Sequence, residues 1–276
     1  MTISQWQYFK RAEAHNTVLV DGQGDSEPRG PWGYQRLSRP RLIAWRSSPW
    51  ADIAAASTDG FLKLQPPVSY ERFVILIKQN INIVWIHDVL RCEKKRRYEW
   101  LLHLTPQQPR ILSECQALQT SLPGVTQLDC RPAQLSPHIS GPALRIGLYH
   151  DRTYTPQSGY WFPLQYGDLP APVTQAPYAV WSQEASGIVT FDMVLSHLKP
   201  GQQPAQIQPL PLKQPQGVTA YQLVTPQGKV TVIFDDRSGD NQPQIQMDRL
   251  VLRGRVHLGN GKEWLSVWPN PTLRPR

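Results

Sequence analysis

The chain has 276 residues and a net charge of +8, with 40% hydrophobic and only 18% charged residues. That length buries a substantial core without disulfide or metal staples, and 27 prolines and 18 glycines, spread rather than clustered, exclude collagen-like and wholly disordered classes. The positive charge suits nucleic acid, anionic lipid or acidic polysaccharide without choosing among them, and a basic but unspecific surface accounts for it equally well. The first strand expected is Thr17 to Val20, ending at the turn dipeptide Asp21-Gly22. Arg41 to Trp45 is a short candidate, and Phe61 to Leu64 follows a second Asp-Gly turn at Asp59-Gly60. Tyr70 to Lys78 and Asn82 to Leu90 are rich in β-branched and aromatic residues, with Asn80 at the hairpin tip between them, and Tyr98 to Leu104 alternates as a further strand. Later candidates are Ala143 to Tyr149, Tyr178 to Gln183, Ile188 to Leu195, Val218 to Val224, Lys229 to Asp235, Gln244 to Val251 and Lys262 to Val267. No segment keeps a capped helical period. Many short strands at fairly even spacing predict an all-β fold of stacked antiparallel sheets.

Two stretches read as boundaries. Pro106 to Pro109 follows the first block of strands, and Pro200 to Pro215, rich in Pro and Gln, reads as an extended linker or a long surface loop. They suggest a β-sandwich over residues 1–200 and room for a small C-terminal β region over 201–276. Three cysteines, Cys92, Cys115 and Cys130, form no C-x-x-C pair and support neither a disulfide framework nor a zinc ribbon. No signal peptide is visible from Met1 to Phe9, and no run approaches the roughly 20 apolar residues of a membrane span.

Lys94-Lys95-Arg96-Arg97 is the densest basic run and is expected in a hairpin loop between two strands. It is either a solvated loop or a polyanion contact. Nucleic-acid binding would call for exposed aromatics interleaved with basic residues on one surface, a weak pattern here, so no nucleic-acid or membrane partner is expected. His87 stands beside Asp88, but adjacent strand residues face opposite ways, which argues against a joint acid–base role.

The strongest local motif is Ala14-His15-Asn16-Thr17-Val18-Leu19-Val20-Asp21-Gly22. Further signals follow in order: Asp59-Gly60-Phe61, Tyr70-Glu71-Arg72-Phe73-Val74, Val84-Trp85-Ile86-His87-Asp88-Val89-Leu90, Trp100 to Pro106 with His103, then Gly159-Tyr160-Trp161-Phe162-Pro163 and Tyr166-Gly167. This series, from about Gln5 to Pro200, resembles the C-terminal β-sandwich half of heparinase II/III-type polysaccharide lyases. The resemblance implies an antiparallel β-supersandwich. It also implies cleavage of uronic-acid-containing polysaccharide by β-elimination, in which a base takes the proton beside the uronate carboxylate and another group neutralises that carboxylate.

In the family, the proton-handling Tyr and the charge-neutralising Asn or His come from a helical toroid absent from this sequence, so neither is carried over. His15 matches the cleft-lining His of the β domain and is the catalytic candidate. Asn16 and Trp161 are the substrate-binding candidates, Trp161 because its turn-rich setting favours an exposed ring able to stack on sugar. Several members hold zinc in this domain. Here Thr58 and Tyr70 stand where His is usual, and the metal question stays open between zinc and none. The partners implied are an acidic polysaccharide and a separately encoded helical toroid. Family members usually act outside the cytoplasm, and this sequence settles no location. Three readings follow: a lyase part inactive without its toroid, a non-catalytic acidic-glycan-binding module, and a degenerate remnant. The plain alternative for His15 is an imidazole that merely hydrogen-bonds the chain at a strand entry.

Overall fold

The computed structural model describes residues 7–30, 32–78, 83–103, 116–117, 126–130, 145–150, 155–161, 174–198, 202–203, 205–211, 217–225, 228–237, 244–247 and 250–267. The strands among them are β1 (Val18–Val20), β2 (Glu27–Arg29), β3 (Gly33–Arg36), β4 (Pro40–Ser47), β5 (Ala51–Thr58), β6 (Ser69–Ile77), β7 (Ile83–His103), β8 (Gln116–Ala117), β9 (Thr126–Cys130) and β10 (Arg145–His150). They continue with β11 (Thr155–Trp161), β12 (Thr174–Leu198), β13 (Gln206–Pro209), β14 (Val218–Thr225), β15 (Gly228–Asp235), β16 (Gln244–Met247), β17 (Leu250–Arg253), β18 (Val256–Gly259) and β19 (Trp264–Val267).

A ten-stranded sheet runs β4-β5-β6-β7-β12-β10-β9-β8, with β1 added on β7 and β11 on β12. A five-stranded sheet runs β13-β14-β15-β18-β19. Every pairing is antiparallel. The two sheets share one apolar cluster: Ile53, Phe73, Ile75, Trp85 and Val194 from the first meet Leu223, Val232, Phe234, Val256 and Leu258 from the second. The opposite face of β7 and β12 builds a second cluster, in which Tyr98, Trp100, Trp181 and Phe191 pack with Val18, Val20, Phe61 and Val68. Strand alternation sends Trp85 and His87 to the first face and Asp88, Leu90 and Trp100 to the second.

The all-β expectation holds, and several element boundaries move. The two strands expected either side of Lys94–Arg97 are one 21-residue strand, β7, and the basic run lies inside it. Its cations are neutralised along the strand rather than gathered in a loop: Lys95 pairs Glu184 at 2.9 Å, Arg96 pairs Asp21 at 2.5 Å and Arg97 pairs Glu99 at 2.8 Å. The expected strands Tyr178 to Gln183 and Ile188 to Leu195 likewise fuse into the 25-residue β12, with a register shift between Ala185 and Gly187 against β7. Phe61 to Leu64, read as a strand, is a 3-10 turn over Gly60–Lys63, because Phe61 plugs the second cluster instead of extending a ladder. β5 escaped notice because alanine is a weak strand former, yet its Ala51, Ile53 and Ala55 alternate into the core where larger residues would crowd the facing sheet.

Candidate functional site

The segment before β1 carries the candidate residues. Ala12–Ala14 form a single 3-10 turn, and His15 leaves it in extended conformation. The Thr17 amide donates to the His15 carbonyl at 3.0 Å, bending the chain at Asn16. His15 and Asn16 are both exposed. His15 Nε2 lies 2.9 Å from the Phe9 carbonyl oxygen. A carbonyl only accepts, so Nε2 carries a proton, and in the neutral tautomer the lone pair lies on Nδ1.

Asn16 is held by the sheet edge. The β1–β7 ladder pairs Val18 with Trp100, and the Leu101 amide donates to the Thr17 carbonyl at 2.9 Å. At the next position the Asn16 side chain replaces the backbone: the His103 amide donates to Asn16 Oδ1 at 2.6 Å, and His103 Nδ1 lies 3.3 Å from the same oxygen. With Oδ1 engaged by His103, the donors of the Asn16 side chain are those of its amide nitrogen. The Asn16 carbonyl in turn accepts from Arg72 Nη1 at 2.9 Å.

Arg72 is the hinge to the interior. Its Nε and Nη2 grip Asp88 at 2.7 Å each, in the two-pronged geometry that fits a carboxylate. Asp88 is fully buried and also accepts from Tyr70 at 3.1 Å and Trp100 Nε1 at 2.5 Å. Burial opposes the charge on Arg72, but Asp88 outweighs it and holds the guanidinium firmly protonated. The Tyr70 hydroxyl is pushed above its ordinary value by burial and then by the Asp88 charge, so it stays a neutral donor.

His103 stacks on Tyr178 at 4.4 Å with an interplanar angle of 16°. Burial, and then the neighbouring His15, push the His103 imidazole down to about 4 against the pull of the Glu13 backbone, so it is neutral at ordinary pH. In the sequence His103 stands within the Trp100 to Pro106 motif, with no sign of its partner. The register of β1 on β7 brings it against Asn16, 87 positions away, a proximity that sequence spacing does not reveal. Trp161 ends β11 opposite Thr174, and its side chain lies outside the described residues, as do Phe162, Pro163, Tyr166 and Gly167.

No group of three or more His, Cys, Asp or Glu among the described residues is arranged to hold a metal ion. The carboxylates nearest the motif are committed elsewhere. Asp25 accepts from Ser38 at 2.7 Å and Thr58 at 3.5 Å, Asp52 from Ser47 and Lys78 at 2.6 Å each, and Asp59 from the Arg39 amide at 2.7 Å. Thr58 and Tyr70 thus spend their hydroxyls on Asp25 and Asp88. Among the described residues, none of these groups fits a zinc centre.

A second buried polar cluster joins the two sheets. His87 lies between Asp192 (Nδ1, 2.9 Å) and Asp236 (Nε2, 3.1 Å) and stacks on Phe234 at 3.8 Å. Trp85 and Tyr221 also donate to Asp192, at 2.6 and 3.0 Å. Burial alone would push the His87 imidazole down, but Asp236 and Asp192 overcome it and raise it to about 10. Asp88 and His87 face opposite sides of the sheet, as alternation requires.

With this geometry in view, comparison with known proteins is informative. The family model for the heparinase II/III-like C-terminal region matches residues 4–158, more than half of the chain. The chain belongs to the heparinase II/III-like C-terminal family. The matched span contains His15, Asn16, Arg72, Asp88 and His103 of this heparinase II/III-like domain. No curated protein matches it. Among solved structures, the domain is similar to heparan sulfate lyase HepC from Pedobacter heparinus, with 11% identity, a TM-score of 0.54, and coverage of 85% of this chain and 32% of that one. A structure of heparinase III gives 10% identity, a TM-score of 0.52, and coverage of 83% and 30%. At such identities the likeness is one of fold, and the heparinase II/III-like domain spans about a third of the length of those enzymes. It is a domain related to polysaccharide lyases.

Proposed function

We propose that the chain is the β-sandwich part of a polysaccharide lyase that acts on uronic-acid-containing polysaccharide by β-elimination, and that it cleaves only when joined by a helical toroid. The observation that supports this reading most is the state of His15. The residue is exposed, its Nε2 proton is spent on Phe9, and it is followed directly by the exposed Asn16, whose Oδ1 is held by His103. An exposed imidazole nitrogen that is not engaged by the chain can accept or pass on a proton. The amide nitrogen of the exposed Asn16 can donate to a sugar hydroxyl or a carboxylate oxygen. A developing enolate needs more charge stabilisation than one amide provides, which is the part assigned to the helical domain.

The test is a reconstitution with a helical domain from a heparinase II/III-type lyase, read by the ultraviolet absorbance of the unsaturated uronate product. Complemented cleavage that falls about 10²- to 10⁴-fold in His15→Ala, with glycan binding retained, is the expected outcome. Robust cleavage by the isolated chain would overturn the need for the toroid. The net charge of +8 also favours a second reading, a module that binds acidic glycan without cleaving it. Salt-sensitive retention on a uronate polymer, with no complemented activity, distinguishes it.

A further inference from the structure

Resting on that glycan reading, we infer that the β2–β3 hairpin is a sugar-stacking subsite of the same site, with Trp32 as its platform. Trp32 sits at the hairpin tip and is 82% exposed. Tyr34 (42%) and Leu37 (63%) extend the exposed apolar surface down the same arm. A lone exposed aromatic is ordinary, but this one is displayed on a braced support. Lys10 Nζ donates to the carbonyls of Gly30 (3.3 Å) and Gly33 (2.5 Å), which flank the tip, and lies 4.4 Å from the centre of the Tyr34 ring. Lower down, Lys63 pairs Glu27 at 2.7 Å and Arg36 donates to the Asp59 carbonyl at 3.2 Å. A support held at both strands loses little further freedom when a ligand docks, which favours affinity.

The same brace fixes where the hairpin stands. Lys10 follows Phe9, whose carbonyl holds His15 Nε2, so one lysine side chain and one peptide unit connect the hairpin tip to the candidate residue. Arg11, next to Lys10 in the chain, and Arg29, opposite Gly33 in the hairpin, are both exposed. An indole face takes the C–H face of a pyranose, and flanking cations take its carboxylate. The combination matches an anionic sugar chain better than a neutral one, and it extends the site from His15 and Asn16 along the hairpin.

The experiment is affinity electrophoresis of the whole chain in gels containing heparan sulfate, an unsulfated polyuronate or neutral dextran, with Trp32→Ala, Trp32→Phe and Asn16→Ala beside the wild type. The inference expects retardation by the two acidic polymers and not by dextran. It further expects a roughly 3- to 15-fold weakening in Trp32→Ala that Trp32→Phe largely restores. Because Trp32 is so exposed, melting temperature should not move, which separates lost stacking from lost fold. Wild-type retardation that Trp32→Ala leaves unchanged would overturn the subsite while the acidic-glycan reading stands. Absence of wild-type retardation by either acidic polymer would overturn the glycan reading, and the subsite with it.

Discussion

At the scale of single residues, the exposed motif depends on buried charge. Asn16 is oriented from below by Arg72, and Arg72 by Asp88. Asp88→Asn keeps the shape of the side chain but leaves a largely covered guanidinium without its counter-charge. A loss of about 3–5 kcal/mol in urea unfolding is expected. His103 adds a pH signature. Its folded value of about 4 lies below the roughly 6.5 of an unfolded imidazole, so between these values the unfolded chain binds a proton that the folded chain refuses. Stability contributed by neutral His103 is complete above pH ~6.5 and declines as pH falls towards 4. His257, pushed down to about 4 by burial, acts in the same sense. Urea midpoints measured from pH 7 to 4.5 should fall, and His103→Gln should make that fall shallower. His15 and Asn16 were legible in the sequence because the motif is local. Arg72, Asp88 and His103 stood within the motifs that carry the resemblance, but their contacts with Asn16 and one another were not legible, because these depend on which strand lies beside which.

At the scale of elements, β7 and β12 organise the molecule. Their long ladder crosses both apolar clusters, and His87 on β7 joins Asp192 on β12 to Asp236, just past the end of β15. The sign is opposite to that of His103. His87 is raised in the fold to about 10, so its protonated form contributes stability fully below the unfolded value of roughly 6.5. That contribution is lost as pH rises through about 10. Melting temperatures recorded from pH 7 to 10.5 should decline for the wild type, and in Asp236→Asn, where one attracting charge is gone and the folded value is less raised, the decline should be smaller and level off at lower pH. The sequence showed most of these strands as hydrophobic alternation but misjudged their lengths. Lys94–Arg97 looked like a loop because four cations in a row seldom sit in a sheet. Here Glu184, Asp21 and Glu99 lie close enough to neutralise three of them, and only the fold brings the first two there.

At the scale of the whole molecule, the C-terminal sheet shares its core with the first. Tyr221, Leu223, Phe234 and Leu258 pack in one cluster with Ile53, Ile75 and Trp85, while Arg255 pairs Glu71 at 2.6 Å across the same interface. We expect a single cooperative urea transition, with tryptophan fluorescence and far-ultraviolet circular dichroism superimposing. A fragment ending at residue 200 should lose that transition, since one face of the large sheet would be bare. Two separate transitions would instead favour independent folding of residues 1–200 and 201–276. The sandwich class was readable from strand spacing and turns. The joining of the two sheets was not, because it rests on contacts between residues well over 100 positions apart, and neither composition nor local pattern records them.

The reach of His87 also bears on how the protein is made. Its two carboxylate partners lie 105 and 149 residues further along the chain. As the polypeptide leaves the ribosome, β7 is complete long before β12 or β15 has been synthesised. During that interval His87 lacks both carboxylate partners, and the strand that will become the centre of the sheet, already flanked by β6 and β1, has an open edge where β12 will pair. Closure around so many distant contacts is slow. The nascent chain therefore passes through an interval of aggregation risk, which closes only after Asp236 has taken its place against the imidazole and β18 and β19 have completed the second sheet over the first.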